Sequence, residues 1–376
     1  MFGADHRKIL PSTVLAYGKK VLLVYGGNAI KTIGLYDEIV SALIGAGAKL
    51  FELSGVKSNP RHAKVDEGAK ICRENNIDVI LAVGGGSVID CAKAISVTTE
   101  SGSECWNIIT KKVTVESAIP VITVLTVTGT GSEMNNSCVI SNEDLKIKRG
   151  FSNDLLFPKV SFLDPVLTYS VSPFQTACGC ADILSHVLDT AYLMPGDRMN
   201  MLCMIMEAVS KTVIKYGPIA VNEPSNYEAR ANLMWASTLA LNGILKNGIR
   251  QPAVCHIIEH ELSAYYDINH GLGMAIILPK WMKYVLDGYT AGIFAGFGRA
   301  VFDIGDRDDI KCAEKMIEAL ERFLYTDLSL PSGLSSLGVP NTDFDKLGEN
   351  VCWGGKVGGL KQLNPGDIVK ILELCY

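Results

Sequence analysis

Residues 78–87, D-V-I-L-A-V-G-G-G-S, join an uninterrupted apolar run to a turn of three glycines. A short run of this kind, rich in β-branched residues and bounded by glycine, is typical of a strand buried in a parallel sheet. Residues 88–96, which follow, have a helical pattern. The stretch therefore predicts a strand, a tight turn and a helix, which together begin a βαβ unit.

Two other apolar runs end in the same kind of turn. Residues 20–25 lead into Gly26, Gly27 and Asn28, and residues 119–125 lead into T-V-T-G-T-G-S-E, which begins at Thr126. The segments between the three runs predict a strand at 49–53 and helices at 30–47 and 59–75.

Strand ends of this type suggest a nucleotide site. In an open α/β sheet, ligands bind at the carboxyl ends of the strands, where glycine lets backbone amides approach a phosphate. Any one of the glycine turns can also be only a tight connection. The pattern G-x-G-x-x-G is absent, so a nucleotide site here does not carry the usual dinucleotide signature.

Composition places the chain among folded proteins without a polyanionic partner. Its 376 residues are 48% hydrophobic and 20% charged, which predicts two domains with well-buried cores. The net charge of -5 gives no attraction to nucleic acid or to an anionic membrane. Eleven cysteines with no C-x-x-C spacing are typical of reduced thiols. No secretory signal or membrane-length apolar run is present, and we expect a cytoplasmic protein.

From Ser172 onward, long amphipathic segments replace the β-branched runs. The predicted domains are an α/β nucleotide-binding domain with a mostly parallel sheet over residues 1–166, and an all-α metal-binding domain over residues 167–376. Ser172 followed by Pro173 is a helix start signal. Helices are predicted at residues 172–193, 198–216, 227–245, 252–266, 272–286, 291–302 and 309–324.

Four of the six histidines lie in two places in the predicted helical domain. Asp182 and His186 are four residues apart, as are His256 and His260, so each pair shares one helix face; His270 begins the next helix. One carboxylate with imidazoles suits a divalent ion such as Fe(II) or Zn(II) with an open position for substrate.

Two other interpretations of the histidines stay open on spacing alone. The residues can be satisfied polar groups on helix faces. The string H-I-I-E-H, from His256 to His260, also resembles the inverted zincin pattern, in which Glu259 acts as a base.

With these features together, the chain resembles the iron-containing alcohol dehydrogenases, and in particular the branch of butanol dehydrogenases and broad-specificity aldehyde reductases. The resemblance extends over nearly the whole chain. Its most specific parts are A-V-G-G-G-S-V-I-D at 82–90, T-G-T-G-S-E at 128–133, F-P-K-V-S-F-L-D-P-V-L-T at 157–168, the string at 227–243, and H-x3-H-x9-H-G at 256–271.

The resemblance implies a role for each histidine that spacing left open. The family's metal ligands are an Asp, a His four residues on, and two His fourteen apart, which correspond to Asp182, His186, His256 and His270. The middle His260 matches a residue beside the nicotinamide, and we expect it to act as a proton-relay group off the metal. The metal is expected to be Fe(II), with Zn(II) as the alternative.

Cofactor residues carry over from the same resemblance. They are Gly26, Gly27 and Asn28 in the first turn, Asn59 after the second strand, Gly85, Gly86, Ser87 and Asp90 at the diphosphate turn and its helix, Thr126, and Lys148 near the nicotinamide ribose. The first turn has no acidic residue to repel a 2′-phosphate, so NADP(H) is predicted over NAD(H). The turn departs from the G-G-G-S of NADP-using members at Asn28 and Ala29.

The resemblance implies reversible hydride transfer between NAD(P)H and a small primary alcohol or aldehyde, in a homodimer. The alternatives are a glycerol or diol dehydrogenase of the same family and a lyase of the dehydroquinate synthase type. The lyase needs basic side chains for its anionic substrate, and none stands beside Asp182, His186 or residues 256–270. The family's first strand carries a P-T-x-I-x-F-G string, and this chain begins at Met1 part-way through it, so a shortened edge strand is expected.

Overall fold

The structure is a computed structural model that describes residues 1–194, 200–245 and 252–376. The chain divides into two compact units, Met1–Val171 and Ser172–Tyr376. The predicted helix start at residue 198 lies outside the described residues.

The first unit is built on a parallel sheet whose central strands are buried on both faces. Its strands are β1 (Lys20–Tyr25), β2 (Lys49–Leu53), β3 (Val79–Gly84), β4 (Val121–Leu125), β5 (Ser137–Asn142), β6 (Ile147–Ser152) and β7 (Val160–Leu163). The main sheet has the order β2-β1-β3-β4-β7, with every pairing parallel. Burial on both faces explains why β1, β3 and β4 read as continuous apolar runs in the sequence.

The strand order reverses at β1, because β2 and β3 are added on opposite sides of it. The chain passes from β1 to β2 on one side and then returns to β3 on the other side. Such a switch point opens a crevice at the carboxyl ends of the two central strands, which is where ligands bind in open α/β sheets. β5 and β6 form a separate antiparallel hairpin.

Six α-helices belong to the first unit. They are α1 (Leu10–Leu15), α2 (Ala29–Thr32), α3 (Leu35–Gly45), α4 (His62–Asn75), α5 (Gly86–Ser101) and α6 (Cys105–Ile109). The single helix predicted at 30–47 is wrong, because the chain breaks at Gly34, whose φ of 75° is left-handed. Glycine adopts that conformation without the steric cost that a Cβ brings.

The first residues of the chain lie along the edge of the main sheet. Gly3 donates its N–H to the carbonyl of Leu163 at 2.8 Å, and Leu163 donates to the carbonyl of Met1 at 2.9 Å. Phe2 forms a single parallel bridge with Leu163. The first residues therefore contribute one bridge beside β7.

The second unit is helix-rich. Its helices are α7 (Pro173–Val187), α8 (Asn200–Asn222), α9 (Tyr227–Leu241), α10 (Val254–Tyr266), α11 (His270–Val285), α12 (Ala291–Phe302), α13 (Asp309–Arg322), α14 (Phe344–Cys352) and α15 (Pro365–Leu374). The prediction of an all-α domain needs one correction, because β8 (Val357–Gly358) and β9 (Gln362–Leu363) form a short antiparallel pair. Among the described residues, no helix is long and apolar enough to cross a membrane.

Candidate metal centre and nucleotide site

Helix α7 carries two of the expected metal ligands. Its start is fixed by Ser172, whose side chain accepts from the N–H of Gln175, and by Pro173 at the first helical position. Asp182 and His186 follow one turn apart, and both are 4% exposed. The carboxylate oxygen Oδ1 of Asp182 lies 3.6 Å from Nε2 of His186. Polar side chains this deeply buried require partners.

The other two expected ligands come from the next pair of helices. His256 is the third residue of α10, and His270 is the first residue of α11. Asn269 caps α11 by accepting from the N–H of Leu272, which places His270 at the helix start. Nε2 of His270 lies 3.5 Å from Oδ1 of Asp182. The loop between α10 and α11 therefore brings the second helix back to α7.

Gly271 allows α11 to approach α7 closely. A Cβ at this position would lie 2.1 Å from the carbonyl oxygen of Cys178 on α7, much closer than any ordinary van der Waals contact. Only glycine fits between the two backbones. The glycine after His270 is thus a packing requirement that holds the two ligand-bearing helices together.

The four side chains form one cluster. One ligand atom from each of Asp182, His186, His256 and His270 lies within 4.8 Å of the others. Oδ1 of Asp182 and Nε2 of His256 are buried and have no hydrogen-bond partner. Buried atoms of this kind are costly unless something binds them. One carboxylate oxygen and imidazole nitrogens fit a divalent ion such as Fe(II) or Zn(II), so the residues present fit the metal.

Two further carboxylates contact the ligand histidines, and of these Asp189 was missed in the sequence. Asp189, in a π-helical turn that continues α7, lies with Oδ2 2.7 Å from Nδ1 of His256. Glu259 contacts Nδ1 of His270 and accepts from the hydroxyl of Ser263. A signal was available for Asp189, which follows His186 by three residues and shares its helix face. Glu259 is the base in the inverted zincin alternative and a structural residue in the iron-containing dehydrogenase interpretation.

The inverted zincin alternative is not supported by this geometry. Glu259 is fully buried, at 0% exposure, and its carboxylate is occupied by His270 and Ser263. His260 is half-buried, with its ring centroid 5.8 Å from that of His270. A second possible ligand group joins Glu259, His260 and His270, and it shares His270 with the four-residue cluster.

In the first unit, the three glycine-containing turns lie together at the carboxyl ends of β1, β3 and β4. Tyr25 at the end of β1 is in register with Val83 of β3, and Gly84 is in register with Leu125 of β4. Gly26, Gly27 and Asn28 follow β1 directly, and Thr126 follows β4 and donates its N–H to the carbonyl of Gly84 at 3.0 Å.

Glycine is required at the start of α5. Gly85 is the N-cap residue, and no side chain caps the helix. A Cβ on Gly85 would lie 2.9 Å from Val127, and one on Gly86 would lie 2.2 Å from the hydroxyl oxygen of Thr130. The turn after β3 therefore packs on the turn after β4, and the uncapped amides at Gly86 and Ser87 offer the geometry that binds phosphate.

Asn59 has a backbone conformation that is uncommon for a residue with a side chain. Its φ is 52°, and the residue is buried. Its carbonyl accepts from the guanidinium of Arg61, which helps to hold the loop after β2. Backbone conformations of this kind often occur at functional sites, and the cofactor role of Asn59 stays a prediction.

Asp90 lies in the interior of the unit, where it ties α5 to its neighbours. It accepts from the hydroxyl of Ser132 at 2.5 Å and from the N–H of Val139 at 2.9 Å. Burial raises the pKa of Asp90, and the nearby Lys93 ammonium opposes that shift. These bonds join α5 to Ser132, after β4, and to Val139 on β5. Lys148, on β6, is buried and also close enough to Asp90 to act on its charge.

Comparison with known proteins connects both units to one family. The family described as "Iron-containing alcohol dehydrogenase" matches residues 1–165, and "Fe-containing alcohol dehydrogenase family, C-terminal" matches residues 176–376. The chain is 42% identical to NADH-dependent butanol dehydrogenase B of Clostridium acetobutylicum, over 99% of this chain and 96% of that protein. It is 33% identical to the NADPH-dependent aldehyde reductase YqhD of Escherichia coli, over 89% of this chain and 86% of that protein.

A solved structure supports the same relationship. The crystal structure of NADH-dependent butanol dehydrogenase A from Thermotoga maritima superimposes with a TM-score of 0.93 at 36% identity, covering 100% of this chain and 96% of that chain.

Proposed function

The chain belongs to the iron-containing alcohol dehydrogenase family, and from this premise we propose how its own residues carry out the family's reaction. Its full-length similarity to butanol dehydrogenases makes it an oxidoreductase that transfers hydride reversibly between NAD(P)H and a small alcohol or aldehyde. The same similarity favours this activity over the dehydroquinate synthase type of lyase. A short aliphatic aldehyde such as butyraldehyde is the proposed substrate.

The metal ligands are proposed to be Asp182, His186, His256 and His270. The observation that carries this proposal is their convergence, with one ligand atom from each lying within 4.8 Å of the others. When bound, a divalent ion supplies Lewis-acid polarisation of the substrate oxygen, and the nicotinamide supplies or accepts the hydride. Fe(II) is the proposed ion and Zn(II) the alternative, because an O,N-ligand set suits both.

The proposed role of the first unit is to bind and orient the dinucleotide. The amides at Gly86 and Ser87 begin a sixteen-residue helix without a side-chain cap, and they are proposed to bind the diphosphate at the helix N-terminus. Gly26, Gly27, Asn28, Asn59 and Thr126 surround the same edge of the sheet and are proposed to contact the remaining parts of the cofactor. Asp90 supports the turn from inside, and Lys148 is proposed to lie near the nicotinamide ribose.

His260 is the proposed proton-relay residue. It lies one turn after His256 on α10, and its ring is close to that of His270. An imidazole can accept the alcohol proton and return it in the reverse reaction. His260→Ala is expected to lower kcat while the protein still binds its metal.

NADP(H) is the proposed cofactor, over NAD(H). The turn at Gly26, Gly27 and Asn28 contains no carboxylate, and a Cβ added at Gly27 would meet no atom within 4 Å. The turn therefore carries no negative charge of its own to repel a 2′-phosphate. Since the relatives carry both NADH and NADPH in their names, the ratio of kcat/KM for the two cofactors decides this point.

A cytoplasmic homodimer is proposed for the assembly and location. All eleven cysteines are free thiols, and ten of them are buried, which agrees with a reducing compartment. Light scattering of the purified protein tests the dimer.

The metal proposal is tested with histidine variants. His186→Ala and His270→Ala are each expected to abolish butyraldehyde reduction in protein reconstituted with Fe(II) or Zn(II), while NADPH binding remains. His6→Ala is the matched control, because His6 is exposed and distant in sequence from both ligand helices. Full activity in either ligand variant would contradict the metal assignment.

A further inference from the structure

Asp189 makes three contacts that converge on the start of α10. Its carboxylate accepts from the backbone N–H of Cys255 at 3.2 Å and of His256 at 3.0 Å, and Oδ2 also lies 2.7 Å from Nδ1 of His256. The N-cap residue Ala253 has no polar side chain to accept from these amides. Asp189, 1% exposed, therefore caps α10 from a neighbouring helix and binds a ligand ring at the same time.

Glu259 makes the equivalent contact with the ring of His270. One carboxylate oxygen contacts Nδ1 of His270, and the other accepts from the hydroxyl of Ser263. A Cβ added at Gly273 would lie 2.8 Å from Cγ of Glu259. Glycine at that position therefore leaves the space that the buried glutamate occupies between α10 and α11.

Both contacts determine where the imidazole protons lie. An ionised carboxylate can only accept a hydrogen bond, so the Nδ1 atoms that face Asp189 and Glu259 carry the protons. The lone pair of each neutral ring is then on Nε2. Nε2 of His256 is buried without a hydrogen-bond partner, and Nε2 of His270 lies 3.5 Å from Oδ1 of Asp182. The two lone pairs thus belong to the same cluster of ligand atoms.

We propose that Asp189 and Glu259 are positioning residues that hold His256 and His270 in the Nδ1–H tautomer and so present both Nε2 atoms to the metal. This inference rests on the proposed metal site, and it assigns a function to two carboxylates that take no part in binding the ion directly. Carboxylates that fix a ligand imidazole in this way typically change metal affinity by about 10–100-fold when they are replaced.

The amide variants separate positioning from simple structural support. Asp189→Asn and Glu259→Gln keep the volume of each side chain and one carbonyl oxygen, so the bond from the N–H of Cys255 and the bond from the hydroxyl of Ser263 can persist. The new amide can donate to Nδ1, which favours the tautomer with the proton on Nε2. That tautomer has no lone pair to offer the ion.

The first measurement is Zn(II) affinity by competition with a chromophoric chelator. Each amide variant is expected to bind Zn(II) about 10–100-fold more weakly than the unmodified protein. Asp343→Asn is the matched control, because Asp343 accepts from the hydroxyl of Tyr266 on the same helix α10 at 2.5 Å; its Zn(II) affinity is expected to stay within about twofold. Unchanged affinity in both amide variants overturns the proposal.

The second measurement reads the tautomers directly, in the unmodified protein and in Asp189→Asn. Long-range ¹H–¹⁵N correlation of the imidazoles is practical because the chain has only six histidines. In the unmodified Zn(II) form, His256 and His270 are expected to carry their protons on Nδ1. In Asp189→Asn, the metal-free protein is expected to show His256 with its proton moved to Nε2. Protons on Nε2 in the unmodified protein overturn the proposal.

The two levels of inference fail in different ways. If the unmodified protein binds no Zn(II) or Fe(II), the proposed metal site and the positioning role are both overturned. If it binds one ion per chain while the amide variants bind equally well, only the positioning role is overturned.

Discussion

Replacing Gly271 with alanine tests how closely the ligand helices must approach. The added Cβ would lie 2.1 Å from the carbonyl oxygen of Cys178. To reach an ordinary contact of about 3.5 Å, the backbones of α7 and α11 must separate by more than about 1 Å. Gly271 lies in the first turn of α11 with no unusual φ, so helix propensity alone would favour alanine. Any loss must therefore come from the collision between the two helices.

The collision has two expected consequences. Overpacking typically costs about 1–3 kcal/mol of stability. In addition, His270 moves relative to Asp182 and His186 by several times the tolerance of about 0.2 Å for metal–ligand distances. Zn(II) affinity is therefore expected to fall at least about tenfold, which corresponds to about 1.4 kcal/mol.

Two assays separate these effects. Thermal unfolding of the metal-free Gly271→Ala protein, followed by circular dichroism, reports the overpacking, and chelator competition reports the Zn(II) affinity. Gly296→Ala is the control, because a Cβ there would meet Tyr192 at an ordinary 3.8 Å and alanine is the better helix former within α12. Unfolding and Zn(II) affinity equal to those of the unmodified protein in Gly271→Ala would refute the steric argument.

Three further results are expected. Gly86→Ala brings a Cβ within 2.2 Å of Thr130 and should weaken NADPH binding at least about tenfold through overpacking at the turn. Gly45→Ala is the control, because a Cβ there meets nothing within 4 Å. A fluorescence titration with NADPH measures the affinity of both variants. Gly27→Asp should lower the ratio of kcat/KM for NADPH to that for NADH by at least about tenfold, since the carboxylate repels the 2′-phosphate, and an unchanged ratio would exclude the first turn as the selector. Removing the metal with a chelator should lower the free energy of unfolding by about 2.7 kcal/mol relative to protein with free Zn(II) at 100 times its Kd. Added Zn(II) should restore the lost stability. Equal stability with and without Zn(II) would contradict metal binding by the four proposed ligands.

Local patterns in the sequence predicted the elements and most of the candidate residues. The strands β1, β3 and β4 could be predicted because both faces of a central parallel strand are buried, which makes the sequence of the strand continuously apolar. The start at Ser172 and Pro173 was readable because capping depends on neighbours in the chain. The proximity of Asp182 to His186 could be predicted because helix geometry places residues four apart on one face.

Only the tertiary structure could bring the two ligand pairs together and show what supports them. The contact between Asp189 and His256 spans 67 residues, and no local periodicity encodes such a distance. The requirement for glycine at 271 depends on the carbonyl of Cys178, on a helix far away in the chain. The sequence by itself therefore determined which residue types were available on each helix, and close packing between helices decided which lone pairs converge, because van der Waals contact and hydrogen bonding act between neighbours in space.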